Sequence, residues 1–133
     1  MSAAPQVLTA SLGQVALTVR DVAASTAFYR DAVALPFLFG AGPRLSFFAI
    51  GTTRLMISAV ESTLLPGSGT VLYLQVDDLD AAYAAMQSRG VVFVDRPHLV
   101  APMPDHDLWM CFFRDPDAHL WGVMSERPKA MVT

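Results

Sequence analysis

Three histidines, one cysteine and a spread of carboxylates are the groups in this 133-residue chain that could move a proton or hold a metal. The densest cluster is Asp105-His106-Asp107, in a run that Pro102 and Pro104 mark as irregular. An imidazole that titrates near neutrality, with a carboxylate beside it to orient the ring, describes a general base, and it describes a solvated turn equally well. Both readings stand for His106, and Tyr73 is the other candidate for metal-free proton transfer. His98 and His119 have no carboxylate at a recognised metal spacing, so a zinc site from His98, His106 and His119 would have to be assembled by the fold. Cys111 has no second cysteine to form a disulfide or a CxxC pair, and the expectation is a buried structural thiol. Arg54 reads either as an anion-binding group for a carboxylate or phosphate, or as a strand-end cation reaching into solvent.

The elements that must position these groups come in two copies. Sliding the sequence over itself by 57 residues sets Gln14-Val-Ala-Leu-Thr-Val-Arg-Asp on Val71-Leu-Tyr-Leu-Gln-Val-Asp-Asp, so that Val19 meets Val76 and Asp21 meets Asp78. Each copy reads as a short β-branched strand, an aspartate that caps a helix, and the helix itself. In the second helix Leu79, Ala82, Tyr83 and Met86 fall on one face and Gly90 ends it. In the first, Val22, Tyr29 and Val33 form the matching stripe beside Phe28, Phe28 and Tyr29 are expected to be core, and Pro36 forbids continuation. Three strands follow each helix, expected over 37–41, 44–50 and 53–59, then over 91–94, 108–113 and 119–125. The chain is therefore one α+β domain, 1–133, with module one over 12–60, a Gly/Pro linker over 61–69 and module two over 70–126. The stretch from His98 to Trp109 is expected to be a polar loop between two strands, where His106 and Trp109 are candidate ligand contacts.

Composition narrows the partners. The chain is 53% hydrophobic and 16% charged with a net charge of -3, which favours a subunit interface and speaks against nucleic acid or an anionic membrane, since the arginines are dispersed. No apolar run reaches the length of a membrane span, and the first ten residues lack the pattern of a signal peptide, so a cytoplasmic location is expected.

Three phrases, in order, resemble the vicinal oxygen chelate superfamily, which contains glyoxalase I, ring-cleaving dioxygenases and bleomycin resistance proteins. They are Val19 to Asp31, matching V-x-D-V-x-x-S-x-x-F-Y-R-D, then Val76-Asp-Asp-Leu-Asp-Ala-Ala, and the closing Phe112-Phe-Arg-Asp-Pro-Asp-Ala-His-Leu-Trp, which is similar to F-R-D-P-D-G-N-x-x-E. The resemblance implies a cup-shaped eight-stranded half-barrel sheet built from two βαβββ modules with helices outside. It also implies a divalent metal held by four positions, which here are Gln14, Met56, Val71 and Gly122. Only Gln14 offers a hard donor, so no metal and no other cofactor is expected. A register slip would substitute Leu55 and Trp121, which are no better as ligands.

If those four residues point into the cup, alternation sends Arg54 and Tyr73 the same way, with Ala16, Thr18, Ser58, Gln75, Leu120 and Met124. The expected ligand-binding set is Gln14, Arg54, Met56, Val71, Tyr73 and Gly122, joined by His106 and Trp109. Gly122 is expected to leave space, although side chains that simply fill a core are the alternative. Together these features suggest a homodimer that sequesters a hydrophobic or amphipathic small molecule without metal. The alternative is an enzyme: a lyase, isomerase or dioxygenase with a non-standard metal site, or a metal-free catalyst.

Overall fold

A computed structural model of the chain describes residues 9, 11, 12, 14–59 and 70–129. Val60 and the linker expected over 61–69 lie outside the described residues. Each module runs strand, helix, three strands. Module one contains β1 (Gln14–Val19), α1 (Val22–Ala27, continued by a π-helical turn Phe28–Ala32), β2 (Phe37–Gly40), β3 (Leu45–Ile50) and β4 (Thr53–Ala59). Module two contains β5 (Leu72–Gln75), α2 (Leu79–Ser88), β6 (His98–Pro102), β7 (Asp107–Arg114) and β8 (Leu120–Arg127). The eight strands lie in two four-stranded mixed sheets, ordered β1-β4-β3-β2 and β5-β8-β7-β6, and in each the first strand of the module pairs in parallel with the last. The two modules form a half-barrel and not a closed barrel. Among the described residues no helix is long and apolar enough to cross a membrane.

Both helices start as the aspartates dictate. The Asp21 carboxylate accepts from the N–H of Ala24 and that of Asp78 from the N–H of Ala81, each at 3.0 Å, which satisfies donors that have no partner within the helix. Their ends differ. After α2 the chain turns through Gly90 at φ +98°, whereas after the π-helical turn it turns through Ala34 at φ +67°, a left-handed conformation that is costly for a residue with a Cβ.

One face of each sheet is turned to the core. Leu17, Val19, Phe48, Leu55 and Ile57 of the first sheet and Cys111, Phe113, Trp121 and Val123 of the second belong to one contiguous buried cluster. Tyr29 joins the two halves: it is fully buried, with its ring centroid 5.9 Å from that of Phe48 and 5.6 Å from that of Trp121. A polar network sits inside this core. Asp115 accepts from the Tyr29 hydroxyl (2.5 Å), from the backbone N–H groups of Asp117 (3.0 Å) and His119 (2.8 Å), and from His119 Nδ1 (2.7 Å). Trp121 Nε1 donates to the Tyr29 oxygen at 3.0 Å, and Asp117 accepts from the Arg20 N–H at 2.9 Å. Burial, reinforced by the adjacent Asp115 carboxylate, pushes the Tyr29 phenol far above its ordinary pKa. The F-Y-R-D and F-R-D-P-D phrases thus fasten module one to module two.

The structure corrects one stretch of the expected element order. Val91 to Val94 makes only a single bridge, Phe93 to Phe113, and the sixth strand lies instead at His98–Pro102, inside the segment expected to be a loop. A continuous apolar, β-branched run made Val91 to Val94 resemble a strand. Pro102 is accommodated because β6 is an edge strand, with a ladder irregularity between Leu99 and Ala101. The irregular part shrinks to the turn between β6 and β7, closed by a bond from the Met103 N–H to the His106 carbonyl at 2.8 Å.

Candidate functional site

The faces turned away from the core carry the candidate residues, and pairing fixes which side chains share them. On the first sheet Gln14 lies opposite Arg54 and Ala16 opposite Met56, while the flanking Leu55 and Ile57 are fully buried in the core. Gln14, Arg54 and Met56 therefore share the open face, and the register assumed from the sequence agrees with the ladder. The Gln14 amide donates weakly to the Met56 sulfur at 3.8 Å. Continuing across the same face, Met56 pairs with Phe47 and Phe47 with Phe39. The Phe39 and Phe47 rings are stacked, 4.6 Å apart and inclined by 26°, and the Arg54 guanidinium lies 5.7 Å from the Phe47 centroid.

On the second sheet Tyr73 lies opposite Gly122 and Gln75 opposite Met124. A Cβ on Gly122 would stand 2.5 Å from Tyr73 Cδ1 and 3.1 Å from Phe112 Cε1. The volume expected at Gly122 is thus taken by the Tyr73 ring, which packs edge-on against Phe112 at 6.1 Å. Glycine leaves room here for the Tyr73 ring, whose Cδ1 and Cε1 would stand only 2.5 and 2.7 Å from a Cβ. Val71 and Tyr73 also line a cavity of about 240 Å³ between the modules, with Leu12, Val15, Leu72 and Trp121 among its other walls. A separate apolar cleft of about 300 Å³, walled by Leu35, Leu74, Val76 and Met86, has Arg89 in its lining, and the Arg89 Nε–H donates to the Ala32 carbonyl at 3.0 Å.

The remaining candidates are placed apart. Trp109 pairs with Ser125 on the core side of the second sheet, and the Arg127 guanidinium covers its ring at 4.0 Å while bonding Asp80 on α2 at 3.1 Å. It does not join the open-face cluster. His106 sits in the β6–β7 turn with Nδ1 2.7 Å from Asp105 and Nε2 3.8 Å from Glu126, a residue that alternation places on the open face with Gly122 and Met124. The hydrogen bond from His106 holds the exposed Asp105 carboxyl below its usual range. Asp107, the other neighbour, is engaged by Lys129 at 2.9 Å. Cys111 is buried, and burial together with Asp95 and Asp80 pushes its thiol up to about 12, so it stays protonated near neutrality.

The four positions at which the resemblance implies a divalent cation do not suit one. Met56 presents a soft sulfur already in contact with an amide, Val71 has no donor, and Gly122 has no side chain and packs against the Tyr73 ring. Nor are the histidines gathered: among the described residues no three His, Cys, Asp or Glu side chains are arranged to hold a metal ion. His119 is committed to Asp115, and His98 Nδ1 to the Arg96 carbonyl at 2.7 Å. Phe39, Phe47, Phe112 and Glu126 are open-face residues that sequence reasoning missed. Strand alternation would have found them once β2, β3 and β7 were paired to their neighbours.

Comparison with known proteins agrees with this architecture. A family model described as Glyoxalase/Bleomycin resistance protein/Dioxygenase superfamily matches residues 11–123. No curated protein matches the chain. Among solved structures, an integron cassette protein from the mobile metagenome of V. cholerae is similar at TM-score 0.73 and 20% identity, covering 90% of this chain and 98% of that one. A glyoxalase/bleomycin resistance protein/dioxygenase from Nocardioides is similar at TM-score 0.70 and 19% identity, covering 96% and 93%. A lactoylglutathione lyase from Agrobacterium tumefaciens is similar at TM-score 0.67 and 20% identity, covering 89% and 95%. Identities this low establish the fold alone. With the family model spanning both modules and the fold shared, the chain belongs to the Glyoxalase/Bleomycin resistance protein/Dioxygenase superfamily.

Proposed function

We propose that this protein is a metal-independent, small-molecule-binding homodimer of its superfamily, acting in the cytoplasm. The observation that carries the reading is the chemistry at the inherited metal positions: a Gln14–Met56 contact and the Tyr73 ring over Gly122 stand where hard donors would be needed. What remains on the open faces is aromatic and thioether surface with a few polar groups to orient a ligand, which is the usual make-up of a site for an organic molecule. The exposed Phe37, Leu38, Phe39 and Tyr73 supply apolar surface for a second subunit to cover, so that a groove is shared between two chains.

A second reading rests on His106, whose ring lies between Asp105 and Glu126. An imidazole held by carboxylates at the edge of an open face is able to accept a proton, which suits a metal-free lyase or isomerase. Thermal-shift screening of hydrophobic and amphipathic small molecules on chelator-treated protein tests the first reading. A binder at 100 times its Kd is expected to add about 2.7 kcal/mol of stability, and the shift is expected to persist in His106→Ala. Failure of every compound to shift the melting temperature without added metal would contradict it. Light scattering is expected to give a dimer, and a monomer at high concentration would remove the shared groove.

A further inference from the structure

The open face of the first sheet combines an aromatic stack with an isolated positive charge. Arg54 is the only charged residue in β1, β2, β3 and β4, and those strands contain no carboxylate at all. Among the described residues no carboxylate forms an ion pair with it. Its guanidinium rests over Phe47, which is itself only 8% exposed beneath its neighbours, whereas Phe39, stacked on Phe47, is 46% exposed. Phe47 is thus the foundation of the stack, with the Arg54 guanidinium over its ring and Phe39 packed against it from the neighbouring strand, presenting an aromatic surface to solvent. Gln14, directly across the β1–β4 ladder from Arg54, adds an amide that can donate.

Resting on the reading that the open faces bind small molecules, we propose that the ligand is a planar aromatic anion. Its ring packs against the exposed part of the Phe39–Phe47 stack, and its carboxylate, sulfonate or comparable oxyanion is held by Arg54, with Gln14 as a second donor. The two halves of this recognition are chemically separate. A neutral aromatic would satisfy the stack and leave the guanidinium unpaired, and a small inorganic anion would satisfy the charge and leave the exposed ring uncovered. An aromatic anion satisfies both, because a flat guanidinium fork matches an oxyanion and an offset ring pair matches the π-surface.

Two fluorescent probes of one skeleton test this: 1-anilinonaphthalene-8-sulfonate, which is anionic, and N-phenyl-1-naphthylamine, which lacks the sulfonate. Titrated against the full chain at moderate salt, the wild type is expected to bind the anion more tightly than the neutral probe. Arg54→Met is expected to weaken the anion about tenfold, or about 1.4 kcal/mol, and to leave the neutral probe unchanged. Arg54→Lys retains part of the preference, and Phe39→Ala weakens both probes. Equal affinity of the wild type for the two probes, or an Arg54→Met variant that binds the anion as before, overturns the anionic class while leaving small-molecule binding intact. Failure of the wild type to bind either probe overturns this proposal, while the binding reading falls only if the thermal-shift screen also finds no binder.

Discussion

The two sheets share one topology and put their polarity in different places. The first carries a single charge, Arg54, on its open face. The second carries Asp107, Arg114, Glu126 and Arg127 in its strands and closes the β7–β8 hairpin with the buried Asp115, Asp117 and His119. In module two the polar residues are spent on fastening: Asp115 and Asp117 hold Tyr29, Ser25 and Arg20 of module one. In module one the open face keeps aromatic surface and a guanidinium that, among the described residues, no carboxylate pairs. The phrases that mark family membership are therefore mostly those that hold the modules together, while the positions that would name the chemistry have changed type.

The largest effect expected from this difference is at Asp115. Asp115→Ala removes four hydrogen bonds from the core and leaves His119 and the Tyr29 hydroxyl without their acceptor, for an expected loss of about 3–5 kcal/mol in denaturant unfolding. A loss of under about 1 kcal/mol would show that the network does not join the modules. Gly122→Leu comes next, because a side chain there collides with Tyr73 and is expected to cost about 1–3 kcal/mol. In a double-mutant cycle Tyr73→Ala is expected to relieve part of that cost; strict additivity would mean that the ring does not occupy the glycine's space.

Two alanines in left-handed turns give a smaller effect of opposite sign. Ala34 at φ +67° and Ala118 at φ +68° stand where a Cβ is unfavourable, and Ala118 replaces the glycine of the F-R-D-P-D-G phrase. Ala34→Gly and Ala118→Gly are each expected to stabilise the protein by about 0.5–1 kcal/mol, read as a rise in melting temperature. A fall would show that methyl contacts outweigh the strain. Arg54→Met is the smallest, within about 0.5 kcal/mol of wild type in stability, and a loss beyond that would give Arg54 a structural role the first sheet does not show.

Much of the fold was legible because its signals are local. Asp21 and Asp78 cap helices as their position before an apolar-periodic run dictates, and the 57-residue self-match located both modules. Alternation turned Gln14, Arg54, Met56, Tyr73 and Gly122 toward the cup, and the ladders set the first three on the open face of one sheet and the last two on that of the other. What was not legible depends on which strand lies beside which. The Val91 to Val94 run has strand composition but no partner ladder beyond one bridge, whereas His98–Pro102, ended by proline, gains one from β7. Trp109 falls both at the end of the expected loop and inside the strand expected over 108–113; in β7 its alternation with Cys111 and Phe113 sends it to the core side. The space over Gly122 looked empty because a sequence records the missing side chain and not the Tyr73 ring from the neighbouring strand that fills it.

The central claim is that the open faces bind without a metal, and elemental analysis of the protein purified without chelator tests it most directly. The account predicts substoichiometric zinc, nickel, iron and manganese, unchanged in Gln14→Ala, since Met56, Val71 and Gly122 cannot complete a hard coordination sphere. One equivalent of any of these metals per chain, lost on Gln14→Ala, would contradict it.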